Sequence, residues 1–219
     1  MFSLVAACVD PDEGGVPEAF EVVDATTTSS TTGVLTYPLG PYGVTRGQIV
    51  QDFAFSGFPA PDANRSDMVA VRLADFYNPT GDGVFEEGSP YGAGDMPRAL
   101  GIVVGAVWCA PCQQEARTIL PEKHEVLEPL LGEILFVLAD SNEPGVPATR
   151  GDLVNWTKTF DNDYPSVLDP DYVLGGIIRA DSFPANILID TSDMSIVDVV
   201  SGVPPESFWE TFEALARGD

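Results

Sequence analysis

Ile102-Val103-Val104-Gly105-Ala106-Val107-Trp108-Cys109-Ala110-Pro111-Cys112 is the stretch on which the fold turns. Its first six residues are apolar without alternation, the pattern of a strand buried on both faces within a parallel sheet. Cys109 then falls where the strand ends and a helix begins. A thiol at that junction faces free backbone N–H groups and the positive end of the helix dipole, which favour thiolate over thiol. Its pKa is expected below the free value, at about 3.5 to 7.5. Cys112, one turn along, is placed to attack a mixed disulfide formed by Cys109, the second half of a two-step exchange. Cys109 is expected to be accessible and Cys112 more buried.

Downstream, Ile119, Leu120, Val126, Leu127, Leu130 and Leu131 fall on one side of a helix, with a kink expected at Pro121. Residues 134–139 form a second continuous apolar strand, and Thr149-Arg150-Gly151-Asp152 reads as a capping box opening a helix that buries Leu153, Trp156 and Phe160. Strand, helix, strand, helix is a parallel α/β pattern. Residues 185–190 and 195–200 read as an antiparallel hairpin across the short polar turn Thr191-Ser192-Asp193-Met194. A last helix, opened by Pro204-Pro205, lines up Phe208, Trp209, Phe212 and Leu215. Upstream, strands are expected at 51–55 and 68–76. The Gly/Pro/Asp-rich stretch 78–97 reads as a surface loop too long to be mere connection, and is expected to make the surroundings of the site unusual.

The chain has 219 residues, and 34 acidic against 10 basic residues give a net charge of −24. Nucleic acid is excluded as a partner, since a phosphate backbone requires clustered Lys and Arg. With 44% hydrophobic and 10% aromatic residues the chain can furnish a sizeable core. The longest charge-free apolar stretch, 99–114, is shorter than the roughly 20 residues a membrane helix needs. Three cysteines cannot build a multi-bridge scaffold. Val5-Ala6-Ala7-Cys8 resembles the lipobox of a bacterial lipoprotein signal with Cys8 as the acylated residue; the residues before it are too few for a full leader, so 1–8 reads as its remnant. Residues 9–40, rich in Asp, Glu, Ser and Thr, read as a solvated linker, and 41–219 as the folded domain.

The Trp-Cys-x-Pro-Cys motif after an apolar strand, with Phe183-Pro184 directly before a hairpin, resembles the thioredoxin fold over about residues 51–216. In particular it is similar to the TlpA/ResA-type extracytoplasmic thiol-disulfide oxidoreductases of the redoxin superfamily. The resemblance implies a three-layer α/β fold, a central mixed sheet flanked by helices, with an N-terminal β-hairpin extension. It implies that Cys109 and Cys112 are catalytic, that Trp108, Ala110, Pro111 and Phe183 shape the site, that Glu115 tunes the dithiol, and that Pro184 is cis beside it. Proline supplies no N–H to a ladder, which suits the first position of a strand. The implied partners are protein disulfides or dithiols and an upstream redox partner. The implied protein is a monomeric periplasmic lipoprotein held to the membrane by its anchor alone, with no cofactor beyond the Cys109–Cys112 redox-active disulfide. Two residues depart from the family: Arg117 stands where a kinking proline is usual, and Val103 replaces the buried acid of thioredoxins, leaving Glu115 or water to assist proton transfer.

Other cysteine chemistries fit less well. A lone Cys-x-x-Cys is half a zinc site, and His124, the single histidine, is expected on a solvated helix face. Covalent haem needs a histidine where Gln113 stands, and a peroxidatic cysteine needs Thr or Ser where Ala106 stands. Asp75, Asn78 and Asp82, or Asp161-Asn162-Asp163, lack the spacing of a calcium loop, so no metal is expected. The alternative function is a weakly active or inactive binding module of the same fold, docking a partner through 78–97.

Overall fold

The computed structural model describes residues 36–60, 67–178 and 182–219. Cys8, the 1–8 segment and most of the 9–40 segment lie outside the described residues. The apolar stretch that opens the motif is the strand β5, Ala99–Ala106, buried along its whole length. It pairs in parallel with β6 (Gly132–Asp140) and antiparallel with β8 (Ala185–Asp190). β6 pairs in parallel with β7 (Ser166–Leu168), and β8 forms a hairpin with β9 (Ser195–Ser201). On the far side β7 meets the N-terminal hairpin of β1 (Ala54–Phe58) and β2 (Val69–Arg72). The result is a mixed seven-stranded sheet in the order β2-β1-β7-β6-β5-β8-β9.

Between β5 and β6 run α1 (Ala110–Gln114) and α2 (Leu120–Leu127); α3 (Arg150–Phe160) joins β6 to β7, and α4 (Glu206–Arg217) closes the chain. Successive strands laid down in one direction across a sheet put right-handed crossovers on the same face. Accordingly Leu120, Leu127, Leu153, Trp156, Phe208 and Phe212 all join one cluster, together with Val103 and Phe136 of the sheet. Side chains alternate along a strand, so Leu100, Ile102 and Val104 point the other way. Among the described residues that second face carries no α-helix. Phe55 of β1 adds to that face, and Val50, Leu73, Phe76 and Leu174 cover it, held by the N-terminal segment and by the 3₁₀ turns Leu73–Phe76 and Val173–Gly176.

The α/β class, the mixed sheet, the hairpin extension and the capping box are as the residues predict; Thr149 N donates to Asp152 Oδ2 at 2.8 Å, and Asp152 N to Thr149 Oγ1 at 3.3 Å. Several details differ. The strand expected over 68–76 ends at Arg72, whose N–H is taken by Asp75 Oδ2 at 2.8 Å as the chain tightens into the 3₁₀ turn. β7 is three residues long, below any window in which periodicity registers. The helix after Cys112 widens into a π-helical segment, Glu115–Ile119, where Leu120 N–H reaches back to Glu115 O. That irregularity precedes Pro121, which has no N–H to give and would crowd a regular turn. Val126 is 41% exposed, so the buried stripe is narrower than expected.

The stretch 78–97 is a built element. β3 (Val84–Phe85) and β4 (Gly94–Asp95) pair within it, and Phe85 stacks on Tyr91 at 4.9 Å. Buried Asn78 donates to Met96 O and Pro97 O, each at 3.2 Å, and accepts from Gly83 N at 3.0 Å. The segment feeds the start of β5 and its Asn78 N–H bonds Thr191 O in the β8–β9 turn. Eight residues at about 3.3 Å each separate that pole from Cys109, so the expectation that 78–97 shapes the site is not met. The β8–β9 turn is solvated only at its middle: Ser192 and Asp193 are exposed, whereas Thr191 and Met194 are fully buried, because Val50 N–H bonds Met194 O and the N-terminal segment lies over it. Tyr37 already belongs to the folded part, its hydroxyl donating to Val50 O at 2.8 Å.

Candidate active site

Cys109 is the N-cap of α1, and Pro111 stands in the first turn, where a missing N–H costs nothing. Cys109 and Cys112 form a disulfide with a Cα–Cα distance of 5.3 Å, and Cys112 N–H donates to Cys109 Sγ at 3.2 Å. Gln113 ties the helix to the strand, its Nε2 donating to Val107 O at 2.7 Å. Both cysteines are only 2% exposed, so Cys109 is not the more accessible of the two, contrary to expectation. Bonded to Cys112, it is drawn into the apolar cluster with Val103 and Ala106. Ala110 and Pro111 are exposed, and Trp108 is 38% exposed. The Trp108 ring meets Phe183 edge-on at 5.9 Å, which brings Phe183 to the dithiol. The Phe183–Pro184 peptide is cis. Because Val104 pairs with Ala185, Pro184 enters β8 beside the end of β5 that leads to Cys109.

Glu115, three residues after Cys112, is 1% exposed. Burial pushes its carboxyl up to about 8, against a smaller opposing hydrogen bond from Asn186. Asn186 is the residue that faces Val103 across the β5–β8 ladder. A buried acid thus sits over the position that Val103 leaves apolar, delivered from the helix instead of the strand. Glu115 Oε1 and the Tyr164 hydroxyl are buried without a hydrogen-bond partner among the described residues. Burial first, then the charges of Asp163 and Glu115, hold the Tyr164 phenol above its ordinary range.

Asp140 was not singled out from the sequence, yet it fixes the wall of the site. It is 3% exposed at the end of β6. Its Oδ2 accepts from Trp108 Nε1 at 3.0 Å and Gly145 N at 2.9 Å, and its Oδ1 accepts from the Tyr172 hydroxyl at 2.5 Å. Partial burial, then the bond to Asp140, raises the Tyr172 phenol to about 12. The only trace in the sequence is a charged residue closing an otherwise apolar run. His124 is also misplaced by the sequence reading. It is 5% exposed, edge-on to Tyr164 at 5.5 Å, with Nε2 3.2 Å from Glu133 Oε1 and Nδ1 3.2 Å from Asp163 Oδ1. Burial alone would lower its pKa; the two carboxylates outweigh that and raise it. Among the described residues no three His, Cys, Asp or Glu side chains are grouped as metal ligands.

A mixed sheet with a Cys-x-x-Cys disulfide leaving a central strand and a cis-proline entering the neighbouring strand is the thioredoxin-like fold. Solved structures with this fold include a thiol:disulfide interchange protein DsbE from Chlorobium tepidum, at 17% identity and a TM-score of 0.53 over 79% of this chain and 96% of that one. A secreted thiol-disulfide isomerase from Corynebacterium glutamicum matches at 17% identity and 0.53, over 83% and 98%. The exposed lipoprotein thioredoxin Etrx1 of Streptococcus pneumoniae matches at 20% identity and 0.50, over 74% and 98%. No family model and no curated protein sequence matches the chain.

Proposed function

We propose that the protein is an extracytoplasmic thiol-disulfide oxidoreductase of the TlpA/ResA type, acting as a monomer on protein disulfides or dithiols. The observation that carries this reading is the Cys109–Cys112 disulfide at the strand-to-helix junction, flanked by Trp108 and the cis Phe183–Pro184 peptide. In the reducing direction the Cys109 thiolate attacks a substrate disulfide, forming a Cys109–substrate bond and releasing one substrate thiolate. The Cys112 thiolate then attacks Cys109 Sγ, releasing the second. The substrate gains two electrons and its thiolates take up two protons; the pair is left as the disulfide. The reverse sequence oxidises a substrate dithiol and reduces the pair. Glu115, its carboxyl raised to about 8 and on the same helix face as Cys112, gives its proton to the Cys112 thiolate when the disulfide opens and, as the carboxylate so formed, takes the proton back when Cys112 must attack. No cofactor is required. Attachment at Cys8 would tether the domain to the membrane; among the described residues no helix is long and apolar enough to cross one.

Insulin reduction in the presence of dithiothreitol tests the reading. Turnover above the dithiothreitol background is expected for the wild type, and a fall to background for Cys109→Ser. Equal rates for the two proteins would refute it. Release from the membrane fraction in Cys8→Ala, without loss of turnover, is the expected outcome for the anchor.

A further inference from the structure

The dithiol has two flanks, because β5 is bordered by β8 on one side and β6 on the other. Phe183 and Pro184 occupy the β8 flank, and Trp108 reaches from Phe183 to Asp140 at the end of β6. On the β6 flank a cavity of about 300 Å³ opens between the helix that follows Cys112 and α3, lined by Val107, Gln113, Arg117, Asn155, Trp156 and Phe160. Val107 and Gln113, which bracket Cys109 in sequence, are hydrogen-bonded to each other, so the cavity opens at the strand-to-helix junction that carries the disulfide, although neither cysteine lines it. It lies outside the carboxyl ends of β5 and β6, where open α/β sheets receive ligands.

Arg117 gives this cavity a cation on a strongly acidic chain. The chain carries −24 overall, which repels acidic groups in general. Arg46, Arg72, Lys123 and Arg217 each lie against a carboxylate. Arg117 has no such partner among the described residues, and its guanidinium lies over the Phe160 ring at 5.4 Å. The one acid lining the cavity, Asp152, is already engaged by the Thr149 N–H and hydroxyl. Those bonds hold it below the usual carboxylate range although burial opposes them. Arg117 is therefore a cation with no carboxylate in ion-pair contact among the described residues, in a cavity whose one carboxylate is turned to Thr149, and it is held over an aromatic wall that can take an aliphatic stem.

We propose that this cavity is a substrate subsite that receives an Asp or Glu side chain lying near the reacting cysteine of the partner protein, its carboxylate on Arg117 and its stem against Phe160 and Trp156. The proposal rests on the oxidoreductase reading and adds a preference to it. Arg117 is a specificity-determining residue here, with no part in the exchange of electrons.

Two disulfide-containing peptides, identical except for Glu or Gln flanking the reacting cysteine, give the test. For the wild type at low ionic strength, kcat/KM is expected to favour the Glu peptide by about 3- to 5-fold, the range of a solvent-accessible ion pair. The ratio is expected to fall to about one in Arg117→Gln, to survive in part in Arg117→Lys, and to shrink near 1 M salt, where the screening length is about 3 Å. A wild-type ratio of one, or an unchanged ratio in Arg117→Gln, overturns the proposal. A second arm reads the cavity independently of turnover: the same peptides with Ser for Cys are titrated into the oxidised protein, following the Gln113 and Asn155 side-chain amide signals. Tighter binding of the Glu peptide that Arg117→Gln abolishes supports the subsite. Equal binding of both peptides refutes it. Absence of turnover on both peptides counts against the oxidoreductase reading and leaves the binding arm to decide the subsite.

Discussion

Glu115→Gln converts the buried carboxyl into a permanently neutral isostere, and the structure sets the size and sign of the outcome. The folded carboxyl titrates at about 8 against an ordinary value of 4.5, with burial as the main cause. Below pH 4.5 both folded and unfolded chains are protonated at this position, and the contribution to stability is fully present. Between the two values the unfolded chain ionises while the folded one keeps its proton. Folding must then take up a proton, and stability falls by about 1.4 kcal/mol per pH unit. The loss reaches about 3 kcal/mol by pH 7 and roughly 5 kcal/mol once pH passes the folded value. Glu115→Gln removes this slope. Urea denaturation of the disulfide-intact proteins at pH 4, 7 and 9 should therefore show near-equal stability at pH 4 and a growing advantage for the variant above it. Taking the difference between the two proteins cancels the titration of the other carboxylates. A pH-independent difference, or a variant less stable than the wild type at pH 9, would refute the assignment of Glu115 as a buried neutral acid.

Asp140→Asn should cost about 1.5–3 kcal/mol, the worth of hydrogen bonds to a charged acceptor, and should lower the Tyr172 phenol from about 12 towards 10, read by ultraviolet titration. His124→Gln should destabilise more at pH 5 than at pH 9: the folded imidazole titrates above 6.5, so its contribution is complete below that value and lost as pH rises through the folded one. Gly57→Ala should lose about 1–3 kcal/mol in thermal unfolding, because an added Cβ would stand 2.3 Å from Ser166 O and 2.5 Å from Val167 Cα, backbone atoms of the paired strand. Equal stability of Gly57→Ala and wild type would show that β1 and β7 separate more readily than their register implies.

The parts legible in the sequence are those whose signal is local. The run before Trp108 is uniformly apolar because β5 is buried on both faces, and the Thr149–Asp152 box closes within a single turn. Cys109, Cys112, Phe183 and Pro184 were readable as a group because the junction motif and the proline before the hairpin each carry their own punctuation. The parts that escaped depend on distant partners. His124 is buried because Glu133 and Asp163 come to it from β6 and from the α3–β7 connection. Asp140 serves Trp108 and Tyr172, each 32 positions away, which no spacing rule connects. The cysteines escaped in another sense: their order in the motif says which should attack, but their exposure is set by the fold around the sulfurs.

Enclosure of both sulfurs gives the oxidised protein a form of kinetic privacy. A dissolved thiol that collides with the surface finds the Trp108–Phe183 ring pair and the exposed backbone of Ala110 and Pro111 before it finds sulfur, whereas a docked partner acts on those same groups for as long as it stays bound. If the pair exchanges as proposed, the enclosed disulfide accepts electrons from a dissolved thiol such as dithiothreitol only when these groups part, which slows that reduction without preventing it, and a docked partner gains on it by residence time.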